Sequence, residues 1–370
     1  MFVTTLTLRD FRSYARAEVS FGPGLNVIHG PNGAGKTNLL DGVYFGCTGR
    51  SCRTSNEREL IRFDQAVTRV QVRAQDADAR GEVHELTVGF APGEPKRLQL
   101  DGADVERLVD VVERPLVSVF LPDRLELVKG APALRRAHLD QVVSGLWPLR
   151  AASRRAYAQA LAQRNALLAR LRSGRGVASS LDAWDAELAR HAVALAADRA
   201  AAASLLAPRF PEQARALGLV GEATLEYRPR SRAADPASFV AELRERRAGE
   251  IERGFSAHGP HRDDLALLRD GRDLRVYGSQ GEQRLTLLAL LMSERQTLAE
   301  ERGRAPVMLL DDVMSELDAD RRERLVAELA SDGQSLITTT DLAHVPGADA
   351  PGVTRLRVAE GAVLQEARAA

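Results

Sequence analysis

The segment Gly30-Pro31-Asn32-Gly33-Ala34-Gly35-Lys36-Thr37 fits the pattern G-x-x-x-x-G-K-[ST] in full. The chemistry of that pattern is phosphate binding. Glycines let successive backbone N–H groups curl around phosphate oxygens, and the start of a following helix adds partial positive charge. Lys36 is expected to reach the β- and γ-phosphates of ATP, and the Thr37 hydroxyl to bind Mg²⁺. Asn38 continues the same loop. A glycine turn without a ligand would also fit the glycines, but not the apolar strand Leu25–Ile28 before the loop and the helix expected after it.

A second group of chemically capable residues lies far along the chain. Val307-Met308-Leu309-Leu310 reads as an apolar strand, and it ends in Asp311-Asp312. An apolar strand ending in carboxylates is a weak signal alone. Beside a phosphate loop it takes the form of a Walker B element, with Asp311 holding Mg²⁺. Asp312 stands where ABC proteins place a glutamate that polarises the attacking water, and is the expected catalytic residue together with Lys36. Ser315-Glu-Leu-Asp318 follows at the spacing of the ABC D-loop.

Gly278-Ser279-Gln280-Gly281-Glu282-Gln283 precedes an apolar run, and Gln283 stands 28 positions before Asp311. A lone S-x-G is more often a helix cap. In this order and at this distance it resembles the ABC signature, whose Ser and Gly face the γ-phosphate held by the other subunit from a helix N-terminus. That predicts a homodimer with two composite ATP sites, contributed to by Ser279, Gln280, Gly281 and Glu282. Ile337-Thr-Thr-Thr340-Asp341 closes the series. Thr340 stands where ABC proteins commonly carry a switch histidine. With Asp312 it predicts slow ATP hydrolysis used as a switch.

The elements that must position these residues are those of an α/β protein. Strands are expected at Thr4–Leu8, Val19–Phe21 and Leu25–His29, then a helix over about 36–45. Antiparallel strands follow at 69–74, 84–90 and 97–100, and a further one near Leu116–Leu121. From 133 to about 206 the chain is rich in Ala, Leu and Arg, which form helices. One helix is expected from Pro148 to about Leu171, another capped by Asp182 and running to Leu206, and a third over about 236–253. Strands return near Leu265–Leu268, Val307–Leu310 and Ser335–Thr339. The expected organisation is an ABC-type P-loop ATPase head, a mixed sheet with an antiparallel β subdomain, split into 1–132 and 255–370. A mostly helical arm, 133–254, interrupts it. No sustained heptad pattern indicates a long coiled coil.

Composition is that of a water-soluble folded chain, with 44% hydrophobic and 28% charged residues among 370. No apolar run reaches the roughly 18 residues that span a bilayer, and the first residues lack the basic and apolar regions of a secretory signal. Cys47 and Cys52 fit neither a disulfide framework nor a zinc site. A cytoplasmic, nucleoid-associated protein is expected. Net charge is zero, but it is unevenly placed. Residues 133–255 carry 20 Arg against 13 acids, and both flanks are net acidic. Between Asp140 and Asp182 seven arginines occur with no acid. Of these Arg150, Arg154, Arg164 and Arg172 fall in one helical sector and are the candidate DNA contacts. Leu161 and Leu168 share that sector, so a solvated or partner-facing helix face fits it as well. His258, His261, Asp263 and Asp264 read either as metal ligands or as a hinge with paired charges.

Several stretches together resemble the RecF family of ABC-type ATPases, relatives of the SMC proteins. They are Leu8–Tyr14 (LRDFRSY), the loop GPNGAGKTN, Ser51–Asp64, Phe120–Pro132, Gly259–Asp264 (GPHRDD), GSQGEQR and LLDDVMSELD. The resemblance implies a two-lobed head, ATP-driven dimerisation and binding of gapped, single- or double-stranded DNA. It implies work with RecR and RecO in placing RecA at gapped or stalled replication sites. It also implies that Arg12 and Ser13 contact the nucleotide, and that a loop near Pro122–Asp123 approaches the metal. Two other readings share the ATP motifs. A transporter ATPase subunit usually has a shorter span than the 241 residues between Thr37 and Ser279. A structural SMC-like chromosome protein would need the long coiled coil.

Overall fold

The computed structural model describes residues 1–76 and 81–366. In chain order it begins with β1 (Phe2–Phe11), β2 (Tyr14–Ser20), β3 (Leu25–His29) and α1 (Lys36–Thr48). Then come β4 (Thr68–Gln75), β5 (Val83–Phe90), β6 (Arg97–Leu100), β7 (Ala103–Asp104) and β8 (Val117–Phe120). Helices α2 (Glu126–Lys129), α3 (Pro132–Leu146), α4 (Ala151–Arg172), α5 (Leu181–Leu206) and α6 (Arg209–Ala216) form the middle. After β9 (Ala223–Arg228) and α7 (Pro236–Arg253) lie β10 (Asp264–Arg269), β11 (Arg272–Asp273), α8 (Leu274–Tyr277) and α9 (Gln280–Arg302). The chain ends with β12 (Val307–Leu310), α10 (Ala319–Ala330), β13 (Ser335–Thr339), β14 (Thr354–Ala359) and β15 (Ala362–Gln365). No helix among the described residues is long and apolar enough to cross a membrane.

The chain divides into two compact units. The first holds 1–124, 216–218 and 291 onward; the second holds 125–215 and 219–290. These divisions differ from the 132/133 and 254/255 boundaries expected from composition. The reason is β-pairing: β9, in the expected arm, pairs antiparallel with β10 along its length, and β10 pairs with β11. The strands after 254 therefore cluster with the helices before it.

The first unit is built on two six-stranded sheets. One, β2-β1-β4-β5-β6-β7, is antiparallel throughout. The other, β15-β14-β3-β13-β12-β8, is parallel except for its β14–β15 hairpin. Its strands β3, β13 and β12 are buried almost throughout, as expected of parallel strands covered on both faces. Leu39, Leu40, Val43 and Phe45 of α1 are fully buried in one core with side chains of both sheets. Burial of each contributes roughly 1.5–3 kcal/mol. Gly46 permits that approach, because a Cβ there would meet Val72 Cγ2 at 2.4 Å. The core thereby fixes the start of α1 at the end of β3, the phosphate loop's position.

The second unit packs α4, α5 and α7 around Tyr157, Leu188, Leu195, Phe239 and Leu243. The long helices α4 and α5 match the expected ones closely. Asp182, expected as the cap of α5, lies inside its first turn instead, and the Ser180 cap makes no side-chain bond.

Candidate nucleotide-binding site

The phosphate loop joins β3 to α1. Gly35 caps α1 with φ 110°, a left-handed value that favours glycine. A Cβ there would also crowd Ser13 Oγ at 2.9 Å and Tyr14 Oη at 3.0 Å. No acidic residue of α1 itself stands in its first turn. The buried Tyr14 hydroxyl donates to Gly35 O at 3.0 Å and steadies the loop's exit. Lys36 donates to the carbonyls of Gly30 at 2.8 Å and Pro31 at 3.0 Å, so its ammonium lies inside the arc of Gly30–Gly35. Burial lowers its pKa, and Asp312 and Asp311 oppose that shift.

The acidic end of β12 faces the same place. β12 runs parallel to β13, and β13 parallel to β3, so their C-terminal ends share one edge of the sheet. Ligands of open α/β sheets bind at that edge. The Thr37 hydroxyl stands 2.9 Å from both carboxylate oxygens of Asp311. Thr338 of β13 donates to Asp311 Oδ1 at 2.7 Å and accepts from the Asp312 N–H at 2.9 Å. Thr338 was not singled out by sequence; it sits in an apolar strand, and only β12–β13 register brings it here.

Asp312 has φ 48°, which is uncommon for a residue with a side chain and a mark of functional sites. Ser315 donates to its carbonyl at 2.8 Å and to Oδ2 at 3.0 Å. Its other oxygen, Oδ1, is buried and has no hydrogen-bond partner. One oxygen is therefore anchored and the other is available to a polar ligand. These features fit a magnesium nucleotide. A hydroxyl and a carboxylate supply the oxygen ligands Mg²⁺ prefers, a cationic loop supplies the phosphate cradle, and an orphaned carboxylate oxygen stands beside them.

Other expected residues fall differently. Ser13 accepts from Asn38 Nδ2 at 3.0 Å, and Arg53 donates to Asn38 Oδ1 at 2.9 Å. Arg53 thus joins the loop's flank, a position that its exposed, irregular segment gave no periodicity to reveal. Arg12 is held by Asp41: its Nε and Nη2 each lie 2.8 Å from Oδ2 of that fully buried carboxylate. Thr340 is exposed just past β13.

The signature residues belong to the second unit. Ser279 N donates to Glu282 Oε2 at 2.8 Å, and Glu282 N donates to Ser279 Oγ at 3.3 Å. This reciprocal pair is a capping box of the form S-x-x-E. Glu282 also pairs with Arg269. The Ser279 N–H, then its side chain and Arg269, hold the Glu282 carboxyl below its usual pKa. The box uses Oγ of Ser279 as an acceptor and leaves its proton to donate outward. Ser279, Gln280 and Gly281 are exposed, and a Cβ at Gly281 would meet nothing.

The candidate DNA arginines do not form one free face. Arg164 is fully buried, bonded to Asp185 and Glu250 at 2.6 Å each and to Ser256. It is a core ion-pair residue, which corrects its expected exposure. Leu161 and Leu168 in its sector already pointed inward. Arg150 pairs with Asp198 at 3.1 Å and stacks on Trp147, and Arg154 pairs with Asp140 at 3.1 Å. Arg172 donates to Arg253 O at 3.3 Å. The His258–Asp264 group is also taken up singly. His258 meets Glu242, His261 meets Tyr157, Asp263 meets Tyr227 and Arg199, and Asp264 meets Arg135.

Comparison with known proteins agrees with this architecture. The family model of the RecF/RecN/SMC N-terminal domain matches residues 2–357. A protein of Heliobacterium modesticaldum named DNA replication and repair protein RecF is 40% identical over 350 residues, covering 92% of this chain and 93% of its own. A namesake from Streptomyces avermitilis is 39% identical over 383 residues, covering 98% and 99%. A solved structure of the recombination mediator protein RecF with ATP, from the RecFOR pathway, superposes with TM-score 0.88 at 26% identity, covering 99% and 98%. An Smc head bound to the C-terminal winged-helix domain of ScpA shares the fold, with TM-score 0.59 at 17% identity and coverage of 99% and 98%. The fold is thus that of the SMC/RecF ABC-type ATPase head, and this chain belongs to the RecF family.

Proposed function

We propose that this chain is an ATP-gated DNA-binding protein of recombinational repair and replication-fork maintenance. ATP binding pairs two copies, the pair holds DNA at gapped or stalled sites, and hydrolysis releases it. In the cell it acts in the cytoplasm at the nucleoid, and with RecO and RecR it helps place RecA. The observation that carries the reading is the junction of Thr37, Asp311 and Thr338 behind the loop. It is supported by the kinship to proteins named for DNA replication and repair, and by the likeness to a recombination mediator protein RecF solved with ATP.

Within the site, Gly30–Asn38 would cradle the phosphates, and Lys36 would exchange its carbonyl partners for phosphate oxygens. Thr37 and Asp311 would hold Mg²⁺, which supplies charge neutralisation to the transferring phosphoryl group. Asp312 would orient and deprotonate the attacking water through its unpartnered oxygen. Ser279 of a second copy would donate its proton to the γ-phosphate from the capped start of α9. One methylene shorter than a glutamate, Asp312 suits a weak, DNA-dependent ATPase that times a switch.

Sedimentation with and without ATP tests this directly. The wild-type chain should self-associate only with ATP, and Lys36→Met and Ser279→Arg should each abolish that. Persistent ATP-dependent self-association in either variant overturns the composite site. DNA binding with and without ATP, on gapped, single-stranded and duplex substrates, tests the second half of the reading.

A further inference from the structure

The sequence Gly259–Asp264, GPHRDD, balances two acids against a histidine and an arginine, yet in three dimensions those charges are separated. Asp263 is buried: it binds Tyr227 Oη at 2.5 Å, Arg199 Nη1 at 3.3 Å and the Arg230 N–H at 2.7 Å. Asp264 is taken by Arg135 in a two-bond pair at 2.8 and 3.0 Å. The acids of the turn are thus consumed internally, each by a deeply buried arginine, and little negative charge is left to face solvent.

The cations around the same point are not consumed. Arg136 donates to the backbone carbonyl of Asp263 at 2.7 Å and, among the described residues, has no carboxylate ion pair. Arg230 is exposed, with its backbone fixed on the Asp263 side chain. Arg262, next in chain to Asp263, is exposed and lies 5.9 Å over the half-exposed Phe255 ring. Among the described residues neither Arg230 nor Arg262 forms an ion pair. The mutual field is visible at Arg136: burial lowers its pKa, Arg199 lowers it further, Asp263 and Asp264 oppose, and Arg262 again lowers it. Among the described residues Arg136 of α3 thus sits against Asp263 with Arg262 close enough to lower its pKa, and Arg230, just past β9, has its backbone anchored on the same aspartate; none of the three is in a carboxylate ion pair. This is an arrangement a polyanion backbone can use: exposed cations at Arg230 and Arg262 beside Arg136, with the neighbouring acids already paired to Arg199 and Arg135.

We propose that Arg136, Arg230 and Arg262 form a contact site for the phosphodiester backbone of DNA, read without base specificity. The inference rests on the DNA-binding reading above and gives it a location away from the paired Arg150 and Arg154. The shared chemistry is a phosphate oxyanion, whose two sources are the DNA backbone and the nucleotide triphosphate.

The test uses the full chain with ATP and Mg²⁺, fluorescently labelled duplex DNA, and a salt titration. Arg230→Gln/Arg262→Gln should weaken DNA binding at least tenfold and lower the slope of log affinity against log salt by about two. Arg262→Gln alone should lower it by about one, and its exposed position keeps folding intact. Binding of a fluorescent ATP analogue and ATP-dependent self-association should be unchanged. Unchanged DNA affinity and slope in the double variant, with the wild type binding DNA, overturn this site alone. Loss of ATP binding in the variants assigns the cations to nucleotide and also overturns it. A wild-type chain that binds no DNA with ATP removes the broader reading and this site with it.

Discussion

The Thr37 hydroxyl lies 2.9 Å from each carboxylate oxygen of Asp311, a residue 274 positions further along the chain. Two motifs that sequence can only place in order are therefore one cluster in space. Parallel pairing of β3, β13 and β12 brings it about, and the hydroxyl of Thr338 closes it from the strand between.

The first prediction concerns that cluster. In the proposed site Asp311 acts through the metal and Lys36 through phosphate. Asp311→Asn should leave Mg²⁺-free ATP affinity unchanged and abolish most of its enhancement by Mg²⁺. A tenfold loss corresponds to about 1.4 kcal/mol. Calorimetric titration of ATP with and without Mg²⁺ checks it; an unaltered enhancement excludes Asp311 from metal binding.

Asp312 supports a separate expectation. Its Oδ2 is tied to Ser315 while its buried Oδ1 has no partner. Asp312→Asn keeps the shape and removes the base, so ATP turnover should fall by roughly 100-fold or more. ATP-dependent self-association should persist and last longer. Ser315→Ala, which frees the carboxylate without removing it, should reduce turnover far less. Steady-state phosphate release measures both, and unchanged turnover in Asp312→Asn removes it from catalysis.

What was legible in the sequence follows from range. The phosphate loop, the β12 carboxylates and the S-x-x-E cap are local patterns, and each forms a local structure whose geometry the pattern dictates. The bounds of β3, β4, β5, β6, β12 and β13 follow from apolar periodicity and match to within a residue, whereas β1 and β2 are longer than expected and α10, β14 and β15 were not read. Thr338 and Ser315 were not legible, because their roles depend on strand register and on the left-handed turn at Asp312. Asp41, buried inside α1, shows its purpose only once Arg12 and Ser51 meet it. The β9–β10 pairing was missed because β9 (ATLEYR) was not read as a strand, and its partner stands 36 positions on, Asp264 against Arg228. Arginine is also a poor guide to exposure in a chain with only three lysines, since it serves both surface and interior.

Arg164 makes that last point testable. It is fully buried with Asp185 and Glu250, also fully buried. Arg164→Ala would leave the buried Glu250 without its counter-charge and Asp185 with Arg247 alone, at 2.7 Å, at a cost of roughly 3–5 kcal/mol. Thermal unfolding should move down by several degrees. At permissive temperature, DNA affinity and its salt slope should match the wild type, because this guanidinium never reaches solvent. A lowered salt slope in the folded variant contradicts the interior role.

Glu294 gives the fold a pH dependence of unusual sign. It lies in α9, is buried, and burial pushes its pKa up to about 7, with Arg124 opposing. In the unfolded chain the group titrates near the ordinary glutamate value of about 4.3. Between those values the folded state holds a proton that the unfolded state has lost. Stability from this group is therefore fully present below the unfolded pKa and declines as pH rises through the folded one. The contribution is at most ~4 kcal/mol. Glu294→Gln mimics the protonated form at every pH. Denaturant unfolding of the two proteins from pH 4.5 to 8 should show the variant gaining relative stability as pH rises, with the difference levelling near pH 7. A constant difference across that range would mean that Glu294 is ionised in the folded protein throughout.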